Sequence, residues 1–451
     1  MTLRRYFGTD GVRGVAGEHP MTAAFATRLG SAATEAIKQP GEQHPLLVIG
    51  MDTRQSGPML AHAVAAGVTA RGGDVHWLGV MPSPGVSYLT RALNAHAGVV
   101  ISASHNPYDD NGIKFFNHLG EKLSDEVEAR IEKLLDQELD ALPTLTGEAI
   151  GRSTRYRHDD GEYVQFLLAN APYLDGLRVG LDCANGASFE IAPRVFKQIG
   201  ARLDVINQNP SGTNINLQCG STHPDSLRRR VIDHELDVGV CFDGDADRAI
   251  LIDRYGRLVT GDHILAICAL SRGEKEVVAT VMSNLGMEQY LAERGITLHR
   301  TKVGDRYVYE ELRRRTLKLG GEQSGHLLFL DRAATGDGIL TALQTLSAIR
   351  KSDKPLEEWI DEIPAYPQVL LNVGVKAAMK HTLIDDPEIR NALFKAEEKL
   401  AGEGRINLRP SGTEPLIRVL VEGKDDSTVG SLAQELADVV KRVSETDRPG
   451  S

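Results

Sequence analysis

At 451 residues, with roughly 150 per domain as a guide, the chain has room for about three domains and for large cores. Its 41% hydrophobic and 25% charged content excludes a disordered or fibrous chain, and no apolar run approaches the about 18 residues that a membrane span needs. A net charge of -11 argues against general binding to nucleic acid or to an anionic membrane, so an anionic ligand would need a concentrated positive pocket.

The first stretch, MTLRRYFGTDGVRG, opens with the pair Arg4-Arg5 and has no apolar segment behind it, which reads as a chain that stays in the cytosol. Within it, FGTDGVRG sets Thr9, Asp10 and Arg13 among three glycines. That composition lets backbone approach a ligand and leaves Arg13 free to meet an anion, although a surface turn has it too. Residues 45–51 then read as a strand, 56–71 as a helix and 74–80 as a strand, the grammar of βαβ units and a mostly parallel sheet. The apolar run 97–101 reads as a buried strand opening into SASHNPYDDNGIKFF. Ligands of open α/β sheets bind where strands end in loops, so Ser102, Ser104, His105, Asn106 and Lys114 stand where chemistry is done. Ser104 is the candidate nucleophile; read by itself, Ser-His-Asn-Pro also suits an ordinary turn, because a serine hydroxyl needs a base, a metal or a charge cluster beside it.

A charged amphipathic helix is expected over 125–139 and a linker over 143–153. The grammar restarts with a strand at 177–181, a helix to about 200, a strand at 201–206 and a turn-rich loop over 209–216. The apolar strand 238–242 runs straight into Asp243-Gly-Asp-Ala-Asp-Arg248. Carboxylates at Asp243, Asp245 and Asp247, at i, i+2 and i+4, can close around one hard cation such as Mg²⁺; a solvated acidic turn is the other reading. An EF-hand is excluded, since its sixth and twelfth places hold Arg248 and Arg254 instead of Gly and Glu. A third α/β unit follows, with a helix at 263–271, a strand at 276–281 and a helix at 287–294. Its loops are TKVGDR, with Lys302 and Arg306, and GGEQSGH, where Glu322, Ser324 and His326 have the hydrogen-bonding capacity to read sugar hydroxyls or to build a turn.

Residues 361–367 read as a second linker, and the last portion has its own pattern: apolar runs at 406–408 and 416–422 around RPSGTEP, then a final helix. Arg409, Ser411, Thr413 and the N–H of Gly412 resemble a phosphate cradle, with Arg418 able to add a charge; a tight hairpin is the alternative. Arg13, Lys114, Arg248, Lys302, Arg306, Arg409 and Arg418 are the candidates for a positive pocket. The cysteines, Cys183, Cys219, Cys241 and Cys268, lie 22 or more residues apart, so reduced and buried thiols are expected rather than a metal or disulfide framework. There is no GxxxxGK[ST], GxGxxG or GxSxG, which removes support for P-loop, dinucleotide-binding and α/β-hydrolase readings.

Taken together, SASHNP with NGIK, DGDADR, GEQSGH and RPSGTEP resemble, in order and spacing over the whole chain, the four signature loops of the α-D-phosphohexomutase family. FGTDGVRG and Gln323 are most similar to its bacterial phosphoglucosamine mutases. The resemblance implies three related α/β domains with mixed sheets plus a smaller C-terminal α+β domain around a central cleft, expected here over 1–150, 151–255, 256–366 and 367–451. It also implies a phosphoserine at Ser104, and one Mg²⁺ held by Ser104 with Asp243, Asp245 and Asp247. Lys114 is implied as the acid/base, assisted by Arg13 and His105. Arg248, Lys302, Glu322, Ser324 and His326 are implied as substrate contacts, and Arg409, Ser411, Gly412, Thr413 and Arg418 as the clamp for the phosphate not being transferred.

The implied reaction interconverts glucosamine 6-phosphate and glucosamine 1-phosphate through a glucosamine (or glucose) 1,6-bisphosphate, in a cytoplasmic enzyme whose C-terminal domain closes to exclude water. A homodimer follows by analogy alone. Ala246 departs from the family's usual Gly, at a cost of about 1 kcal/mol if that position takes a positive φ. The competing readings are a phosphoglucomutase or phosphomannomutase of the same family, a haloacid-dehalogenase-like phosphatase with Asp243 as nucleophile, and a non-enzymatic sugar-phosphate binder.

Overall fold

The fold is described from a computed structural model, over residues 5–8, 10–39, 41–156, 161–377, 379–411 and 415–445. The first sheet has the strand order Val12–Val15, Asp110–Asn117, Ala97–Ile101, Leu46–Met51, Asp74–Val80, Ser153–Arg155. Its central strand AGVVI is buried on both faces, as its unbroken apolar run requires. The run NGIKFF is not loop but the inner part of a strand, antiparallel to Ala97–Ile101 with Lys114 opposite Val100. Helices Ala23–Ile37 and Gly57–Ala70 pack at backbone contact on this sheet. A Cβ at Gly30 would stand 2.3 Å from Val64 O, and one at Gly67 only 1.9 Å from Thr27 O, so no larger residue fits either place.

The second sheet repeats this plan. Arg178–Asp182 is parallel to both Arg202–Ile206 and Val238–Phe242, and Ala249–Asp253 returns antiparallel beside Val238–Phe242. In the third, Glu276–Thr280 is parallel to Leu319–Gly321, and Leu327–Phe329 returns antiparallel. The connection from the last parallel strand to its antiparallel return is thus the same place in all three sheets. It holds residues 102–109 in the first, 243–248 in the second and 322–326 in the third. No sequence repeat announces this, because what recurs is strand order and not residue identity.

The C-terminal sheet is antiparallel, in the order Gln368–Gly374, Leu416–Gly423, Gly404–Pro410. It shares a core of Val373, Ile417, Val419 and Val421 with helices Pro387–Leu400 and Asp426–Glu445, through Ile389, Leu400, Leu432, Leu436 and Val440. The chain divides into two compact units, Met1–Thr280 with Thr301–Ile360, and Val281–Arg300 with Asp361–Ser451. Residues 281–300 join the second unit through polar ties that apolar periodicity does not report. Leu285 N–H donates to Glu422, Asn284 Nδ2 to Tyr366 O, and Arg405 to Ser283 O.

Expected element ends agree with the structure to within two residues apart from one helix, and both expected linkers overlap regular elements. The linker expected over 143–153 holds a 3-10 turn, Gly147–Ala149, and meets the strand Ser153–Arg155 of the first sheet. The helix expected over 125–139 stops at Lys133 and continues as a π turn, Leu134–Glu138. The linker expected over 361–367 begins inside a helix, Leu356–Glu362. All four cysteines are buried and free, and among the described residues no helix is long and apolar enough to cross a membrane.

Candidate active site

Ser104 is buried, and its Oγ donates to Asp243 Oδ2 at 2.6 Å. Its φ is +52°, a left-handed value that costs a residue with a Cβ about 1–2 kcal/mol. His105 Nδ1 lies 3.5 Å from the same Oγ. Burial, with the charges of Arg248 and Arg13 beside it, pushes the His105 imidazole down to about 4, so the ring is neutral near pH 7.

Asp243, Asp245 and Asp247 each present an oxygen, and these oxygens all lie within 4.8 Å of one another. Asp245 Oδ1 and Asp247 Oδ1 are buried without a hydrogen-bond partner. Burial, together with the other two carboxylates, raises Asp243 well above the usual range despite the Arg248 charge beside it, the response of crowded buried acids. Orphaned hard oxygens converging beside a serine fit a divalent cation such as Mg²⁺. Ala246, inside this loop, has a φ of +58°, so the strain of a Cβ in the left-handed region is present.

The remaining charges form one alternating chain. Lys114 Nζ lies 2.9 Å from Asp245 Oδ2 and 2.9 Å from Asp10 Oδ2. Arg13 also pairs with Asp10. Lys122 joins Asp10 at 2.7 Å to Asp305 at 2.6 Å, and His326 stands at 3.5 Å from both Asp305 and Asp247. Although burial alone would lower Lys114, Asp10 and Asp245 raise it, so it holds its proton. Against burial, His326, Lys114 and Arg248 keep Asp247 below the usual carboxylate range.

Family models of phosphoglucomutase/phosphomannomutase match four stretches in order: domain I at residues 4–141, domain II at 161–256, domain III at 260–366 and the C-terminal domain at 370–439. The chain belongs to the phosphoglucomutase/phosphomannomutase family. It is 54% identical over 441 residues to the phosphoglucosamine mutase of Deinococcus radiodurans, covering 98% of each chain. It is 51% identical to a phosphoglucosamine mutase of Thermus thermophilus, covering 98% of this chain and 99% of the other. A family protein from Burkholderia thailandensis shares the fold at TM-score 0.81 and 24% identity, covering 98% of each chain. So does Aspergillus fumigatus N-acetylphosphoglucosamine mutase, solved with GlcNAc-6P and magnesium, at 0.68 and 18%, covering 98% and 96%.

Glu322, Ser324 and Lys302 lie less deep than Ser104. Glu322 Oε1 accepts from Gly304 N–H at 3.0 Å, Ser324 is exposed and Lys302 is exposed with its Nζ 5.9 Å from the Tyr307 ring. Arg248 is half-buried; burial would lower it, but Asp247, Asp243 and Glu322 keep it charged. Arg306 pairs with Asp125 and, at 3.0 Å, with Glu310. In the C-terminal sheet Arg409 stands directly opposite Arg418, and burial plus that like charge lowers Arg409. Arg409 donates only to Met282 Sδ, at 3.8 Å, and forms no ion pair among the described residues. Ser411 is buried, with Lys380 Nζ on its carbonyl at 2.9 Å; Gly412 and Thr413 lie outside the described residues.

Sequence reasoning passed over Asp52, Arg54, Ser83, Lys122, Asn216 and Asp305. Ser83 Oγ donates to Asp245 Oδ2 at 2.6 Å. The signal for Asp52 and Arg54 was available, since they follow the strand Leu46–Met51 at the same sheet edge as Ser104. For Ser83 and Lys122 there was none, because their partners lie 162 and 183 residues away.

Proposed function

We propose that the chain interconverts glucosamine 6-phosphate and glucosamine 1-phosphate in the cytoplasm, with Ser104 carrying the phosphoryl group between substrates. The observation that carries this reading is the buried Ser104 Oγ at 2.6 Å from a carboxylate triad with two unpartnered oxygens. The identity to phosphoglucosamine mutases supports the amino sugar over glucose or mannose.

In the first half-reaction the sugar O1 attacks the phosphorus of phospho-Ser104. The O1–P bond forms as the P–Oγ bond breaks; one proton leaves the sugar hydroxyl and one arrives at Oγ. The bisphosphate then turns over and O6 returns its phosphoryl group to Ser104 by the reverse step, which is why a glucose or glucosamine 1,6-bisphosphate activates the dephosphorylated protein. Lys114, charged and fixed between Asp10 and Asp245, stands as the proton-carrying partner. Arg13 and neutral His105 assist it at Oγ. Asp243, Asp245, Asp247 and Ser104 would hold Mg²⁺, whose charge would balance that of the phosphoryl oxygens in a loose transition state. Arg248, Lys302, Glu322, Ser324 and His326 orient the sugar. Arg409, Ser411, Gly412, Thr413 and Arg418 receive the phosphate that is not transferred, with Arg409 and Arg418 opposite each other on adjacent strands as its charged contacts.

The test is peptide mass spectrometry with side-by-side turnover. A single phosphate on Ser104, exchanged on adding a hexose phosphate with Mg²⁺, and fastest turnover of glucosamine 6-phosphate are expected. Phosphate on Asp243, or none after incubation with a bisphosphate, would overturn the mechanism. Preference for glucose or mannose 6-phosphate would overturn the substrate.

A further inference from the structure

Ser104 holds its left-handed φ of +52° because groups outside its loop impose it. Arg54, with its side chain fully buried, sends Nη2 to the carbonyls of Ser104 and Asn106, each at 2.9 Å, and Nη1 to the carbonyl of Pro107 at 2.5 Å. Its Nε donates to Asp52 Oδ2 at 2.9 Å. That oxygen also accepts from Ser102 Oγ at 2.5 Å, and Ser102 Oγ in turn accepts the Ser104 N–H at 2.9 Å. One buried Asp52–Arg54 pair therefore governs both the N–H and the C=O of Ser104. A second clamp comes from the second α/β domain, where Asn216 Nδ2 donates to Ser104 O at 2.8 Å and to Asn106 O at 3.0 Å.

We propose that Arg54, Asp52 and Asn216 are positioning residues for phosphoryl transfer, holding the backbone of residues 104–107 so that Oγ keeps one line of attack. The inference rests on the phosphoserine reading above. Stability alone does not explain the pair, since a buried guanidinium and carboxylate do no better for a fold than apolar residues of the same volume. The side-chain bonds of Arg54 go to Asp52 and to three carbonyls of a single loop. A lysine would bring the charge without the planar fork that reaches all three. The reaction asks more of this serine than of a one-way nucleophile, because Oγ must be leaving group to one sugar oxygen and nucleophile toward the phosphoryl of another in every cycle. A misplacement of about 1 Å lowers such a rate by about 10²-fold.

Arg54→Lys and Asn216→Ala test this in the full-length protein phosphorylated with glucose 1,6-bisphosphate. The readouts are phosphate on Ser104 by mass spectrometry, the ³¹P resonance of the phosphoserine, steady-state turnover and thermal unfolding. Both variants are expected to accept phosphate and to show a shifted or broadened resonance, with kcat lowered about 10- to 100-fold and KM within about 3-fold of the parent. If Arg54→Lys does not fold, Asn216→Ala decides. A folded Asn216→Ala with an unchanged resonance and kcat within about 2-fold of the parent, or a loss confined to KM, overturns the proposal. An unmodified parent protein would instead overturn the phosphoserine reading itself, so the two failures are distinguishable.

Discussion

The serine site and the arginine pair of the C-terminal sheet handle charge in opposite ways. Around Ser104 the charges, buried at Asp245, Lys114, His326 and Asp247 and half-buried at Asp10, Lys122 and Asp305, alternate in sign along one chain of ion pairs. Within the triad, Asp245 Oδ1 and Asp247 Oδ1 are left without a hydrogen-bond partner. At Arg409 and Arg418 two like charges face each other across adjacent strands, half-exposed. The difference follows from the work proposed for each. Transfer between fixed atoms needs a preorganised, low-dielectric site, whereas a clamp that accepts the sugar in two orientations needs charge more than shape.

Ser104→Ala should have the largest effect, removing the phosphoryl carrier and lowering turnover by more than about 10⁴-fold while the unfolding transition stays cooperative. Activity assay and calorimetry on one preparation check it, and loss of the fold would count against the assignment. Asp245→Asn removes one triad oxygen charge and a Lys114 partner together. Mg²⁺ titration should show half-saturation rising at least about 10-fold, and an unchanged curve would place the cation elsewhere.

Arg418→Ala sharpens the contrast. It should raise KM about 10-fold, the size of a lost charge-assisted hydrogen bond, with kcat little changed. Its KM should also depend less on salt than the parent's, because exposed charges are screened and buried ones are not. A kcat effect that dominates would erase the distinction between the two regions. The smallest effect is at Ala246→Gly, where relief of the left-handed Cβ should raise stability by up to about 1 kcal/mol in urea denaturation. A loss of stability would show that the buried Ala246 methyl packs for more than the backbone strain it brings.

Much of the fold was legible because buried parallel strands are written as continuous apolar runs, as in AGVVI and VGVCF. The loops carrying Ser104 and the three aspartates were legible because they follow such strands directly. NGIKFF was harder, since an antiparallel return so close to the preceding strand puts a charged Lys114 into a buried position that only its carboxylate partners make tolerable. The partner of Arg306 was not legible for the same reason: Asp125, on the acidic helix Asp125–Lys133, lies 181 residues away.

By itself the sequence determined the strand and helix grammar, the serine, the acidic triad and the arginine loop, because each is encoded by neighbours within a few residues. The tertiary structure alone decided that three signature loops occupy one equivalent place in three sheets. It also decided that Lys114 is charged, and that Arg54 and Asn216 grip the serine loop from 50 and 112 residues away. Those facts depend on which distant groups a buried charge or carbonyl meets, and the free energy of burial turns on the partner, not on the local sequence.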